Sequence, residues 1–243
     1  NQIYGALQTP YGQFQVGMNY NVAYLMYVGA PSVGALSVND SGITDFLGNP
    51  NWNRIGGKAA FYPTLDSTRL DTDNIAPKFS YLSPVYKGTQ FGFSYMPSAY
   101  NREGLLNGYA PYYDNEAYVV AVSNEHQFGN INISSYAGYG LYVNDHQDMS
   151  VGMSLNYANW TLGGSYRQTD ADSDNPINQQ INNALTPAYY DGFRDGKVWN
   201  IGLSYNYENF TTGVSYFESM AQKTDNRDQV VQWANQYQID DYW

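Results

Sequence analysis

The chain has 243 residues, of which 26 are tyrosine and none is cysteine, and only 14% are charged. Its 22 acidic residues outnumber 11 basic ones, so the net charge is −11. This balance argues against nucleic acid as a partner, because phosphate binding needs a basic surface. The lack of cysteine excludes disulfides and cysteine-ligated zinc, and no run reaches the ~18 apolar residues that a membrane-spanning helix requires.

The dominant pattern along the chain is an alternation of apolar and small polar residues, which indicates β-strands. In the stretch Val151–Tyr157, the odd-numbered residues are apolar and the even-numbered residues are glycine, serine or asparagine. A weak helical spacing occurs only at 228–239. The alternation predicts ten strands, at residues 2–9, 12–20, 74–83, 88–97, 116–127, 130–142, 148–158, 159–168, 197–208 and 209–218.

The predicted connections alternate between short and long. Turns such as Gly129-Asn130 and Ala158-Asn159 are short, whereas residues 21–73, 98–115 and 169–196 form long connections. Short turns at one end and long loops at the other are typical of an outer-membrane barrel. Most acidic residues fall in these connections. We predict loop positions for Asp170 and His146, and also for Asp148, at the point where the strand at 148–158 begins.

Three features favour a membrane barrel over a soluble sheet with aromatic cross-strand pairs. The polar face is uniformly small, without the lysine and glutamate of an ordinary solvent face. The predicted strands are close to the roughly nine to eleven residues that cross a bilayer. Aromatic residues also gather near strand ends, as expected at bilayer interfaces. Those at the long-loop end are Tyr20, Tyr95, Tyr142, Tyr166 and Tyr216, and those at the short-turn end include Tyr11, Tyr86, Phe128 and Tyr157.

Two stretches carry a resemblance to the general Gram-negative porin family. Ile3–Gly17 is similar to a porin hairpin with an aromatic-glycine turn, and Asp73–Gly88 resembles the family's strand with a Ser-Pro and aromatic-x-Gly turn. The resemblance implies an all-β, antiparallel transmembrane β-barrel of sixteen strands in the outer membrane of a Gram-negative bacterium. It also implies a homotrimer embedded among lipid and lipopolysaccharide.

On this resemblance, residues 1–243 are one incomplete barrel domain, with about three strands expected before and three after the ten seen here. Residues 21–73 correspond to the loop that folds into the pore, and residues 169–196 form a long external loop. A ten-stranded barrel closed on itself is the alternative, because smaller even-stranded barrels exist.

The resemblance implies a water-filled channel for passive diffusion of small hydrophilic solutes and ions, without enzymatic activity or cofactor. In the family, acidic residues on the inward loop face basic residues on the wall. Strand parity points Lys78 and Arg167 into the lumen. The acidic candidates are Asp40 and Asp45, and the basic candidates are Lys78, Arg54, Lys58, Arg69 and Arg167. The acid excess at the pore mouth predicts a preference for cations.

Other interpretations stay open from the sequence. A soluble β-sandwich could bind carbohydrate on a tyrosine and tryptophan platform, and a small closed barrel could serve as an outer-membrane adhesin or enzyme. Asp170, Asp172 and Asp174 have the alternate spacing of a calcium loop, but Asn175 replaces the glycine at the sixth position and Ile181 the glutamate at the twelfth. We therefore expect a solvated loop there.

Overall fold

The structure, a computed structural model, describes residues 2–34, 65, 67–71, 75–97, 116–142, 146–170, 196–221 and 227–239. In this part of the chain, no helix has the length and apolar character needed to cross a membrane. The elements are β1 (Ile3–Thr9), β2 (Gly12–Met18), α1 (Val22–Leu25), β3 (Pro77–Leu82), β4 (Thr89–Met96), β5 (Ala117–Phe128), β6 (Ile131–Tyr142), β7 (His146–Tyr157), β8 (Trp160–Asp170), β9 (Gly196–Tyr207), β10 (Phe210–Ala221) and β11 (Arg227–Tyr237).

The strands form one antiparallel sheet in which each strand pairs with the next along the chain. The fold is therefore all-β, as the sequence predicts. Two-residue turns close the short end, and Gly129, Ala158 and Glu208 begin three of these turns with positive φ. Within the described residues, β1 and β11 each have a single neighbour, so the sheet has two edges.

The alternation predicted from the sequence is confirmed by the burial of the two faces. Val151 and Met153 of β7 are 46% and 51% exposed, whereas Ser150 between β6 and β8 is fully buried. Ser165 and Asn200 of the neighbouring strands are likewise buried. We call the face with Ser150 the inner face and the face with Val151 the outer face. The outer face is apolar and uncovered, which is the arrangement expected of a surface in lipid.

The weak helical spacing at 228–239 proves to belong to a strand, β11, so the described residues contain eleven strands where ten were predicted. The side chains of Val231 and Trp233 point outward and are 72% and 74% exposed, whereas Val230 is buried on the inner face. Trp233 pairs directly with Val214 of β10. The adjacent Val230 and Val231, one on each face, produce a spacing that also fits a helix.

Strands β7 and β8 extend further toward the long loops than predicted. His146 and Asp148 lie within β7, not in a loop, and both are fully buried on the inner face. Asp170 is the last residue of β8. The predicted strands began at Asp148 and ended at Gln168, two residues short of the observed ends. The alternation of apolar and polar residues fades there, because His146 and Asp148 are buried although they are polar.

Two aromatic residues predicted for the long-loop interface lie elsewhere. Tyr20 follows the end of β2 and stacks on Tyr24 of α1, with ring centroids 3.8 Å apart. Tyr142 is only 3% exposed and packs on the inner face. The positions of Tyr20 and Tyr142 depend on the residues that they pack against. Their closeness to a strand end in the sequence does not reveal these contacts. The short-turn aromatic residues are exposed as predicted: Tyr11, Tyr86, Phe128 and Tyr157.

The buried apolar residues also lie on the inner face, in two clusters. The first joins α1 and Leu70 to strands β3 to β6 through residues such as Met96 and Val119. The second joins Leu65 to Val198, Phe217 and Val230 of β9 to β11. These clusters fix chain segments outside the strands to the inside of the sheet, and those segments build the site described next.

Candidate functional site

Residues 19–34, which we call the outgoing leg, leave β2 and run across the inner face. The backbone N–H of Val22 donates to Ser94 Oγ in β4 at 3.0 Å. At the far end, the N–H of Gly34 donates to Gln236 Oε1 in β11 at 3.1 Å. The leg therefore crosses the inner face from β4 to β11, at a large angle to the strands.

Glycines of the strands make room for the outgoing leg. A Cβ added to Gly152 would overlap the carbonyl oxygen of Val28, and one added to Gly92 would lie 2.6 Å from Val22 Cβ. Glycine within a strand weakens it but permits this close approach. The same crowding recurs at successive strands, and we call the set the glycine furrow: Gly92, Gly138, Gly152, Gly163, Gly202 and Gly213.

Helix α1 anchors the start of the outgoing leg. The Asn21 side chain caps the helix by accepting from the N–H of Tyr24 at 2.9 Å, and its Nδ2 donates to the carbonyl of Leu70 at 2.9 Å. One side of the helical turn, with Val22 and Ala23, is fully buried against the wall. Fully burying a side chain such as valine stabilises by about 1.5–3 kcal/mol.

Residues 67–71, the returning leg, lie beside the outgoing leg. Ser150 Oγ of β7 donates to the Thr68 carbonyl at 2.5 Å. The Thr68 hydroxyl shares hydrogen bonds with Ser165 Oγ at 2.6 Å and with the Tyr27 hydroxyl at 2.9 Å, while Asn200 Nδ2 donates to both Thr68 and Tyr27. This network links both legs to β7, β8 and β9, so buried polar atoms of the wall have partners on the legs.

Arg167 of β8 joins the wall to the returning leg. Its Nε and Nη2 donate to the two carboxylate oxygens of Asp148 in β7, at 2.9 and 2.8 Å. Its Nη1 donates to Asp71 Oδ1 at 2.5 Å and to the Ser67 carbonyl at 3.2 Å. The guanidinium fork suits such paired contacts. A buried cation is thus held by one acid of the wall and one acid of the leg.

Arg69 has a different environment. Its guanidinium carbon lies 5.2 Å from the ring centroids of both Tyr24 and Tyr27, and Nη1 donates to the Tyr24 hydroxyl at 3.1 Å. Tyr20 stacks on Tyr24 with only 9° between the ring planes. Burial, reinforced by the neighbouring Tyr24, raises the pKa of the Tyr20 phenol above its ordinary value.

Comparison with known proteins identifies the family. A sequence model described as Gram-negative porin matches residues 2–241. The chain belongs to this family. It is therefore an outer-membrane porin, and porins form channels. No curated protein sequence matches the chain significantly.

A solved porin structure has the same fold, and two further solved structures are less similar. A porin refined at 1.8 Å resolution has a TM-score of 0.57 and 15% identity, with 96% of this chain and 70% of that chain covered. OccK5 (OpdH) of Pseudomonas aeruginosa has a TM-score of 0.48 and 9% identity, covering 96% and 58%. A loop L8 deletion mutant of OmpT, an outer membrane protein of Vibrio cholerae, has a TM-score of 0.41 and 11% identity, covering 98% and 79%.

Family membership replaces the soluble β-sandwich interpretation, which the single meandering sheet with its uncovered apolar face does not fit. The porin's outer face meets lipid, and its inner face carries the polar residues that alternate with the apolar ones. A barrel tolerates a bilayer because its strands satisfy one another's backbone groups.

Three of the predicted pore residues of this porin lie in the described part of the chain: Lys78, Arg69 and Arg167. Lys78 and Arg167 are on the inner face, as parity predicts, but both are buried. The Lys78 ammonium donates to the Asn19 carbonyl at the start of the outgoing leg. Arg69 lies on the returning leg. The other predicted residues, Asp40, Asp45, Arg54 and Lys58, lie outside the described residues.

The sequence reasoning missed two acids of the site, Asp71 and Asp148. Asp71 stands just before β3, at the end of the segment predicted to fold inward, and Asp148 has the parity of Ser150. Asp148 is the first residue of the predicted strand at 148–158, so its parity with Ser150 was enough to place it on the inner face. For Asp71 the sequence carries no such signal, since its partner Arg167 is 96 residues away.

The calcium interpretation stays untested, because Asp172 and Asp174 lie outside the described residues. Elsewhere in the described chain, no group of three or more histidine, cysteine, aspartate or glutamate residues is placed to hold a metal ion.

Proposed function

We propose that this porin is a passive-diffusion channel for small hydrophilic solutes and ions, narrowed by residues 21–73. The observation that supports it is the pair of legs fixed across the polar inner face. Residues that occupy the inside of a barrel reduce the cross-section open to water, and the charges that they carry sort the solutes that pass. Diffusion needs no bond-making step, so the proposal includes neither a catalytic residue nor a cofactor.

We further propose a modest preference for cations. The chain carries 22 acidic and 11 basic residues. Among the described residues, Asp71 and Asp148 both bind Arg167, so this group contains two acids and one cation. Two cations, Lys78 and Arg69, offset this locally. The excess of acid over the whole chain therefore favours cation entry, because a potential focused at a narrow mouth raises the local concentration of counter-ions.

The full assembly is also part of the proposal. An open sheet edge has unpaired backbone groups that hydrocarbon cannot satisfy. The edges of β1 and β11 therefore need partners, and the family resemblance favours further strands that complete a sixteen-stranded barrel. The same resemblance supports a homotrimer surrounded by outer-membrane lipid and lipopolysaccharide.

Channel recordings test the proposal. The purified chain, reconstituted in a planar lipid bilayer, should give discrete conductance steps in potassium chloride. Under a tenfold salt gradient, the reversal potential should have the sign of potassium preference. A reversal potential of the opposite sign would contradict the selectivity, and a protein that inserts without conducting would contradict the channel.

A further inference from the structure

The lumen side of the two legs carries an ordered group that the channel proposal does not use. We call it the tyrosine–arginine stack: Tyr20, Tyr24, Tyr27 and Arg69. Tyr20 lies face to face with Tyr24, and the Arg69 guanidinium lies against the rings of Tyr24 and Tyr27. Tyr27 is fixed in turn to the wall through Ser165, with 2.7 Å between the two hydroxyl oxygens.

The Tyr24 side of this stack faces away from the wall. Helix α1 and the residue after it bury Val22, Ala23 and Met26 against the strands. Tyr24 and Leu25 lie on the opposite side of the same turn, where Tyr24 is half-buried and Leu25 is 43% exposed. Within the described residues, this side of the turn is therefore not packed against the strands.

The charge of Arg69 is accessible to a solute, whereas the charge of Arg167 is buried. Arg167 is 2% exposed and holds two carboxylates, whereas Arg69 is half-buried and takes part in no ion pair with a described residue. The nearest acid in sequence, Asp71, is itself bound to Arg167. The guanidinium carbon lies 5.2 Å from the ring centroids of Tyr24 and Tyr27, and one N–H is used by the Tyr24 hydroxyl.

We propose that the tyrosine–arginine stack is a weak binding site for aromatic carboxylates on the permeation path. Guanidinium N–H groups bind a carboxylate in the plane of the fork, and Arg69 uses one of its five N–H groups on the Tyr24 hydroxyl. The half-buried tyrosine rings supply an apolar, polarisable surface for the aromatic part of the solute. The proposal rests on the channel function for its place in transport, but binding can be measured without transport.

The geometry also favours a fixed site over a flexible one. An arginine on a long, free side chain loses rotamer freedom on binding, which weakens the interaction. Here two rings and one hydrogen bond hold the guanidinium before any solute arrives. We therefore expect a carboxylate with an aromatic ring to bind better than either part alone.

The test is binding of 4-fluorobenzoate to the full chain in detergent micelles, followed by fluorine NMR line broadening against protein-free micelles. The expected result is saturable binding that neutral benzyl alcohol, acetate and glucose displace poorly. Equal displacement by benzyl alcohol would show that the carboxylate is not recognised. Equal displacement by acetate would show that the aromatic ring is not recognised. Strong displacement by glucose would indicate a sugar site. Each of these three results overturns the proposal.

Variants locate the site. Arg69→Gln should weaken 4-fluorobenzoate binding at least about tenfold, the loss expected for a charged hydrogen bond. Lys87→Gln is the matched control, because Lys87 also lies over a tyrosine ring, 5.4 Å from the centroid of Tyr86, but at a short turn. Unchanged binding in Arg69→Gln, or an equal loss in Lys87→Gln, contradicts the site.

Two further variants keep the test decisive if Arg69→Gln fails to fold, which heat-dependent gel mobility reports. Arg69→Lys retains the charge without the fork and should bind more weakly than the wild type. Tyr24→Phe retains the ring and removes the hydroxyl that holds the guanidinium, with a smaller loss. Wild-type affinity in both overturns the proposal. Conductance of the same samples separates the two hypotheses, since a non-conducting protein that still binds contradicts only the channel.

Discussion

Arg167 and Arg227 each pair with a carboxylate of the adjacent strand, but on opposite faces of the sheet. Arg167 contacts Asp148 at 2.8 Å with side chains 3% and 0% exposed. Arg227 contacts Glu218 at 2.6 Å on the outer face, near the long loops, and its side chain is 53% exposed. The two distances are similar, so the difference lies in the surroundings.

The inner pair is enclosed by the returning leg, whereas the outer pair has water or lipid headgroups on one side. This contrast extends along the strands. The inner face positions charges, hydroxyls and glycines against the legs, and a change there disturbs several contacts at once. The outer face has only to be apolar and fit its neighbours, so a change there is expected to cost little.

The largest difference should appear when each arginine is removed. Arg167→Met leaves Asp148 buried without its main cation and should lower the free energy of unfolding by about 3–5 kcal/mol. Arg227→Met should cost less, about 1 kcal/mol, because Arg227 is 53% exposed and Glu218, whose side chain is only 6% exposed, keeps its hydrogen bonds from Tyr216 and Gln229. Urea unfolding in micelles, followed by tryptophan fluorescence, measures both.

A double variant checks the cause. Arg167→Met combined with Asp148→Leu removes both buried charges and should recover much of the lost stability, since an apolar pair often replaces a buried ion pair without cost. If the double variant is less stable than Arg167→Met alone, the loss comes from packing and not from an unpaired charge. Equal losses for Arg167→Met and Arg227→Met would remove the distinction between the two faces.

A smaller difference is expected from adding bulk to a glycine. Gly152→Val places its side chain against Val28 of the outgoing leg and should lower stability by about 1–3 kcal/mol, the usual cost of overpacking. Because the leg must shift, single-channel conductance should change as well. Gly5→Val on β1 is the control, since a Cβ there meets nothing within 4 Å.

Gly5→Val should leave both stability and conductance near the wild-type values, because valine suits a strand. A similar conductance in Gly152→Val would mean that the outgoing leg does not limit the pore. A large loss of stability in Gly5→Val would mean that the outer face is also tightly constrained.

The sequence predicts the faces of this sheet well because alternation is a local property. Ser150 and Val151 are neighbours in the chain, and parity alone separates them. Local pattern is less informative where apolar residues occupy both faces, as at Val230 and Val231, and there a strand resembled a helix. It also cannot show that a polar residue such as Asp148 is buried, because burial depends on what covers the strand.

Most of the candidate site cannot be predicted from the local sequence pattern. The legs contact strands far along the chain, and Gly34 and Gln236 are 202 residues apart. The repeated inner-face glycines were visible in the sequence as part of a small polar face. Their role as a furrow follows only once the outgoing leg lies over them. The position of Tyr20 likewise depends on its stacking partner Tyr24 and not on its distance from the end of β2.

The smallest effect concerns the short turns, which lie outside both faces. Gly129 and Ala158 each begin a two-residue turn, with φ of 58° and 49°. A residue with a Cβ pays roughly 1–2 kcal/mol for this left-handed backbone, whereas glycine does not. Replacing alanine by glycine removes this strain. It also makes the unfolded chain more flexible, which lowers the stability of the folded state by about 0.4–1 kcal/mol. Ala158→Gly should therefore raise the free energy of unfolding by about 0.5–1 kcal/mol.

The reverse change, Gly129→Ala, should lower stability by a similar amount, since a Cβ at Gly129 meets no atom within 4 Å and only the backbone strain is added. Urea midpoints of the two variants should move in opposite directions, with wild-type conductance in both because neither turn contacts the legs. Shifts of the same sign would show that side-chain contacts outweigh backbone strain in these turns. The turns at the short end of the sheet would then be constrained by side-chain contacts, as the inner face is.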